Sequence, residues 1–286
     1  DDRFRSPEEM QEQLGVPVLA MVRKFESLAG EGKDAIQTHV DPEAVECEAF
    51  RTLRAALAFT GQDLDRLAIT SSEPGDGKTT VISNLAVAYA QAGKRTLIID
   101  ADLRKPGLTK LLNLRGNDGL SYILRSTDDI AEIAPKAMVE PGIENLVVIP
   151  SGPRPSDPAE LLSSQRMQEL VAWSEQKFDQ VFIDCPPIMA ASDAAIVGRL
   201  LDGIMLVVQP EKNHRRVVMR ATESLRALQA NLVGVVANRI GEDSEGYYGY
   251  GYGYGYGHDE DDDTETHLAF ADAASPTEST QIPMRR

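Results

Sequence analysis

Ser72-Glu73-Pro74-Gly75-Asp76-Gly77-Lys78-Thr79, followed by Thr80, is the stretch on which the rest of the chain depends. Ahead of it, Arg66–Thr70 (RLAIT) is a short apolar run of strand character. Behind it, Thr80 to Gln91 carries Val81, Leu85, Ala88 and Tyr89 at helical spacing. Strand, glycine-bearing loop and helix together are the setting that a phosphate-binding loop requires. Backbone N–H groups of such a loop, with a helix N-terminus behind them, cradle anionic oxygens. The cradle runs from Ser72 through Gly75, Asp76 and Gly77 to Thr80. Within it Lys78 is placed to reach β- and γ-phosphates, and the Thr79 hydroxyl to bind Mg²⁺. The usual pattern opens with Gly, and here Ser72 stands in that place.

Further strands bring carboxylates toward this loop. Arg95–Asp100 (RTLIID) reads as a buried strand and runs into ADLRKP, residues 101–106. While the chain stays extended, Asp100 and Asp102 point to one side. In an open α/β sheet ligands bind at the carboxyl ends of strands. Both aspartates are therefore expected near the phosphates, as Mg²⁺ or water ligands or as a proton acceptor. A turn that uses them for capping is the plain alternative. Phe178–Pro187 (FDQVFIDCPP) leads through Val181, Phe182 and Ile183 to Asp184, which resembles a Walker B aspartate reaching Mg²⁺ through water. An ordinary strand-terminal aspartate is the alternative there.

Leu146–Ile149, Gly203–Val208 and Leu232–Ala237 complete the strands, and Asn238 follows the last where its amide could read an adenine edge. Helices are expected over Ala159–Trp173, Ser192–Leu201 and His214–Gln229, with His214 at the surface or capping. Nearly all-apolar strands alternating with helices predict an α/β fold, a mostly parallel sheet covered on both faces. One domain over residues 41–240 follows, with a lead-in and linker over 1–40 and a flexible tail over 241–286. Val16–Val22 (VPVLAMV) in the lead-in reads as a strand or edge packed on that domain.

With 286 residues and 42% hydrophobic content, the chain can bury one large core. Its formal net charge of −16 argues against nucleic acid or an anionic bilayer as main partner. Cys47 and Cys185 make neither a disulfide framework nor a metal cluster, and a reducing compartment fits them. No apolar run approaches the ~18 residues of a membrane span. The chain begins with Asp1, so the expectation is a piece of a longer protein whose membrane segment lies upstream.

Two features remain. The helix expected over Pro42–Thr60, with Ala49, Leu53, Ala56 and Leu57 on its apolar side, carries Glu48, Arg51 and Arg54 in one stripe. Spacing alone favours a solvated face with one Glu–Arg pair, worth a few tenths of a kcal/mol. A self-complementary seam between subunits is the other reading. After Gly241 the composition shifts: Tyr247, Tyr248, Tyr250, Tyr252, Tyr254 and Tyr256 alternate with glycine before HDEDDD, leaving only Tyr89 and Tyr122 in the body. Composition alone does not separate an adhesive tail from a substrate. Reach favours a substrate, since a glycine-rich tether of about a dozen residues spans ~20 Å on average and ~40 Å when stretched.

SEPGDGKT, LIIDADLRKP and VFIDCPP in this order, with ECEAFRTLR before them and the tyrosine cluster after, resemble the bacterial tyrosine kinases (BY-kinases). These are the cytoplasmic kinase domains of polysaccharide co-polymerases. The resemblance spans residues 40 to 256 and implies a P-loop NTPase fold and ATP with Mg²⁺ as cofactors. It implies autophosphorylation of Tyr247–Tyr256, in trans within a ring, in control of capsular or exopolysaccharide synthesis. By position it assigns Lys78 and Thr79 to Walker A, and Asp100, Asp102 and Arg104 to the second Walker-type motif. Asp184 takes the Walker B place. Glu48, Arg51 and Arg54 become the subunit contact, against the solvated-face reading. The partners implied are further copies of the chain, a membrane-anchored activator domain and a protein-tyrosine phosphatase, at the cytoplasmic face of the inner membrane. Two rivals are a partition-type ATPase, which would carry a lysine where Glu73 stands, and a non-catalytic nucleotide-sensing scaffold.

Overall fold

The structure, a computed structural model, describes residues 2–26 and 28–241. The tail expected from residue 242 onward, with its tyrosine cluster, lies outside the described residues.

Among the described residues seven strands form one sheet: β1 (Val18–Arg23), β2 (Arg66–Ser71), β3 (Thr96–Asp100), β4 (Leu146–Ile149), β5 (Gln180–Asp184), β6 (Gly203–Val208) and β7 (Leu232–Ile240). They lie in the order β1-β7-β6-β2-β5-β3-β4, and every neighbouring pair is parallel. β2 therefore sits at the centre, between β6 and β5, and delivers the phosphate loop from the middle of the sheet's carboxyl edge.

Strand residues alternate between two cores, as a pleat requires. Leu67, Ile69, Ile98, Phe182, Met205 and Val207 face one core, closed by α3 (Val45–Ala58), α4 (Lys78–Gln91) and α5 (Gly107–Leu111), with the short α2 (Gln37–Val40) hydrogen-bonded to α4. Ala68, Leu97, Ile99, Val181, Ile183 and Leu206 face the other. α1 (Pro7–Leu14), α6 (Leu120–Arg125), α7 (Ile130–Ala137), α9 (Gln165–Glu175) and α11 (Arg215–Ala227) cover it. Side chains such as Phe50 and Phe182 are fully buried, each stabilising the fold by roughly 1.5–3 kcal/mol over the exposed state. Such burial on both faces explains why the strands carry so few polar residues.

Three sequence expectations change. The segment 159–173 is two helices, α8 (Pro158–Ser163) and α9, because Ser164 is extended at φ −70°, ψ 159° between them. Its hydroxyl donates to the Leu161 carbonyl and accepts from the Met167 N–H. The last strand runs on to Ile240, so Asn238 lies within β7 rather than after it. Finally, the polar N-terminal stretch holds α1, whose Ser6 hydroxyl accepts from Glu9 N–H and whose Met10 and Leu14 are buried. Val18–Arg23 pairs with β7 as the edge strand of the same sheet. The fold thus reaches well ahead of residue 41. Among the described residues no helix is long and apolar enough to cross a membrane.

Candidate active site

The phosphate loop turns at Gly75 (φ 85°) and Gly77 (φ 92°), where only glycine is at ease. A Cβ on Gly77 would also come within 2.1 Å of the Asn238 amide nitrogen. Each carbonyl along the turn is held from outside. Lys212 Nζ donates to Pro74 O at 2.7 Å, an Arg239 guanidinium nitrogen to Gly75 O at 3.0 Å, and Asn238 Nδ2 to Asp76 O at 2.8 Å. Asn238, its amide expected near an adenine edge, is thereby buried beneath the loop, with its amide nitrogen donating to the Asp76 carbonyl. Asp76 is fully buried too. Its carboxylate accepts from Glu73 N–H, Lys212 Nζ and Asn213 Nδ2.

Lys78 opens α4 and lies between two carboxylates, 3.1 Å from Asp184 and 3.2 Å from Asp102. Burial alone would lower its pKa. The charges of Asp184 and Asp102 outweigh that and hold it above the ordinary lysine value, so the ammonium is retained. Asp184, at the end of β5, is pushed up by its own burial and drawn back by Lys78, and it accepts from the Thr79 hydroxyl at 2.9 Å. The Thr79 hydroxyl faces Gly107, where any side chain would strike it at 2.6 Å. Ser72 is buried at the start of the loop, its N–H bonded to Val207 O.

Asp100 and Asp102 take different surroundings. Asp100 is fully buried and accepts from the Thr109 N–H and hydroxyl, both at 2.7 Å, and from Asp102 N–H. Burial, reinforced by the charge of Asp184, pushes its carboxyl up to about 7. Its oxygens are spent on fixing the turn after β3. Asp102 receives Lys105 N–H on one oxygen and turns the other to Lys78. Arg104 does not join this group. It makes a two-bond pair with the buried Asp193 at the start of α10 (Asp193–Gly198), at 2.8 and 3.1 Å.

Thr79, Asp102 and Asp184 supply hard oxygen donors of the kind Mg²⁺ prefers. Among the described residues no group of three or more His, Cys, Asp or Glu forms a metal site unaided. The thiol of Cys185 is buried beside Asp184 and pushed well up by that burial, which leaves it unreactive.

Glu48, Arg51 and Arg54 lie on α3, in its first three turns. Arg51 pairs with Glu48 at 2.7 Å and also donates to Pro42 O, while Arg54 donates to Ala88 O near the end of α4. Arg54 is thus used inside the chain. Val45 and Phe59, at the two ends of α3, are 67% and 86% exposed. Thr109, Asp193, Lys212 and Asn213 escaped the sequence reading, because no spacing rule ties a loop to partners up to 140 residues away.

The ParA family, described as an NUBPL iron-transfer P-loop NTPase, matches residues 64–245. Tyrosine-protein kinase YwqD of Bacillus subtilis is 39% identical over 214 residues, covering 73% of this chain and 89% of YwqD. Tyrosine-protein kinase Wzc of Salmonella typhimurium is 38% identical over 72% of this chain, a stretch that is only 28% of Wzc. Among solved structures, the chimerical protein CapA2B2 superposes with a TM-score of 0.75 at 35% identity, over 83% of this chain and all of that one. The kinase domain of Escherichia coli tyrosine kinase ETK gives 0.75 at 31% identity, over 88% and 98%. The MinC:MinD cell division protein complex of Aquifex aeolicus shares the fold alone, at 23% identity and a TM-score of 0.53. With its P-loop site assembled on this sheet, the chain belongs to the bacterial tyrosine-protein kinase family.

Proposed function

We propose that the chain is an ATP-dependent protein-tyrosine autokinase. Its substrates are Tyr247, Tyr248, Tyr250, Tyr252, Tyr254 and Tyr256 of a neighbouring copy in a ring, at the cytoplasmic face of the bacterial inner membrane. The process it regulates is capsular or exopolysaccharide synthesis and export. The observation that carries this reading is Lys78 held between Asp102 and Asp184, with Thr79 on the same carboxylate.

Phosphoryl transfer asks a protein for positioning and charge neutralisation more than for covalent help. Loop amides at the N-terminus of α4 and the Lys78 ammonium would bind the phosphates and stabilise charge on the transferring group. Thr79 and Asp184 would hold Mg²⁺, which when bound neutralises phosphate oxygens. The tyrosine oxygen attacks the γ-phosphorus, the bond to the bridging oxygen breaks, and ADP leaves. Asp102 is our candidate for the phenolic proton, because Asp100 is engaged by Thr109 and the backbone.

Outside the site, Glu48 and Arg51 with the exposed ends of α3 are the proposed ring contact. A membrane-anchored activator, either upstream in the same chain or a separate protein, is proposed as the partner that the family resemblance implies. A protein-tyrosine phosphatase would reverse the modification. Incubation with ATP and Mg²⁺ followed by mass spectrometry of residues 247–256 tests the core of this reading, with Lys78→Met alongside. Phosphate on those tyrosines in the parent and none in the variant is expected. ATP turnover with an unmodified tail would replace the kinase by an ATPase.

A further inference from the structure

Asp76 is an unexpected residue to find inside a phosphate cradle. It is fully buried, and a carboxylate there would repel the phosphates that the loop has to bind. The structure pairs it. Lys212, from the loop between β6 and α11, places its ammonium 2.7 Å from one carboxylate oxygen, and Asn213 adds an amide donor at 3.0 Å. The other oxygen accepts from Glu73 N–H at 2.7 Å. Lys212 is the charge that faces Asp76, and it comes from a segment remote in sequence.

The same ammonium also donates to Pro74 O, and two further donors, from Arg239 and Asn238, hold the next two carbonyls. In a trans peptide the carbonyl of one residue and the N–H of the next point opposite ways. Holding the carbonyls of Pro74, Gly75 and Asp76 on the outside therefore turns the N–H groups of Gly75, Asp76 and Gly77 to the inside. Gly75 and Gly77, at positive φ, let the chain accept that arrangement.

On the reading of this site as a kinase nucleotide site, we infer that Lys212 is a positioning residue for the phosphate loop. It neutralises Asp76 and pins the Pro74 carbonyl, so that the inward amides meet phosphate in a site without net repulsion. Lys212 itself touches neither phosphate nor tyrosine in this role. Its effect belongs to nucleotide binding rather than to the chemical step.

The role makes a prediction whose sign a general loss of structure would not reproduce. Lys212→Met strands a buried carboxylate beside the phosphates, and neutralising that carboxylate as well should repair the damage. We expect Lys212→Met to raise KM for ATP and the Kd for an N-methylanthraniloyl ADP probe by about tenfold, with kcat within a factor of about two. Asp76→Asn in the Lys212→Met background should bring both constants back to within about threefold of the parent. The probe titration needs no phosphoryl transfer, so it separates two kinds of failure. A parent that binds the probe but does not phosphorylate tyrosine removes the kinase reading and leaves the clamp standing if the cycle behaves as described. A Lys212→Met variant that binds like the parent, or a double variant no better than it, overturns the clamp while the kinase stands. A parent that binds no nucleotide overturns both. Circular dichroism and the urea midpoint of each variant show whether it is folded. Should Lys212→Met not fold, Lys212→Gln, which keeps a donor for Pro74 O without the charge, takes its place with the same expected order.

Discussion

At the scale of single residues, the site is a set of buried charges that tolerate one another only because each has a fixed partner. Lys78 serves Asp102 and Asp184, Lys212 serves Asp76, and Arg104 serves Asp193. Asp100 is held by neutral donors instead, the Asp102 N–H and the N–H and hydroxyl of Thr109. That hydroxyl also accepts from Ser151 N–H at 2.9 Å. A buried group that loses a hydrogen-bond partner forfeits the desolvation it had compensated. Thr109→Val keeps the shape and removes that hydroxyl, leaving Asp100 one donor short and Ser151 N–H without its acceptor. We expect the unfolding free energy to fall by about 2–3 kcal/mol, read as a lower urea midpoint at unchanged m-value. Thr109→Ser, which retains the hydroxyl, should lose no more than about 1 kcal/mol for the missing methyl. Equal losses for the two variants would mean that the methyl, not the hydrogen bonds, is what the site uses.

At the scale of elements, the strands were the legible part, and the reason is physical. A strand buried on both faces needs an unbroken apolar run, as in Gly203–Val208, and its end is marked by the first residue with chemistry to offer, as at Asp184. Motif spacing likewise brought Lys78, Thr79, Asp102 and Asp184 to one place, because the loop and two strand ends are rigidly joined by the parallel sheet. Helix boundaries were less legible. Apolar spacing continues across 159–173 although the backbone does not, since α8 and α9 bury Leu162, Met167 and Leu170 against the same core. Ser164 separates them through a local bond that hydropathy does not register. Ser164→Ala is expected to cost about 1 kcal/mol, the usual loss for an N-cap. Ser164→Asp, which still accepts from Met167 N–H, should recover part of it; a Ser164→Ala protein with the parent's urea midpoint would show that packing alone sets the break. Lys212, Asn213 and Asp193 were illegible for a different reason. They act across the carboxyl edge of the sheet, from a loop and a helix start whose approach is set by strand order and not by any pattern along the chain.

At the scale of the whole molecule, charge is the variable that phosphorylation would change. The chain carries a formal net charge of −16, and HDEDDD sits directly behind the tyrosine cluster. Each phosphotyrosine adds about −1.5 to −2 charges, so six of them per copy would bring roughly −9 to −12 more. Copies held in a ring, as proposed, would concentrate those charges. Exposed charges act over about 8 Å at physiological ionic strength and about 3 Å at 1 M, so the repulsion is strong where tails crowd and removable by salt. The expected outcome is a self-limiting assembly. Unphosphorylated protein sediments as the oligomer, ATP-treated protein shifts toward the monomer at 0.15 M salt, and the shift shrinks as salt approaches 1 M. Sedimentation velocity before and after a tyrosine phosphatase measures it directly, with Lys78→Met treated identically as the control for nucleotide itself. Fully phosphorylated protein that stays assembled at 0.15 M salt would remove the electrostatic device. Dissociation that persists undiminished at 1 M would instead place the effect in specific contacts of the modified tail.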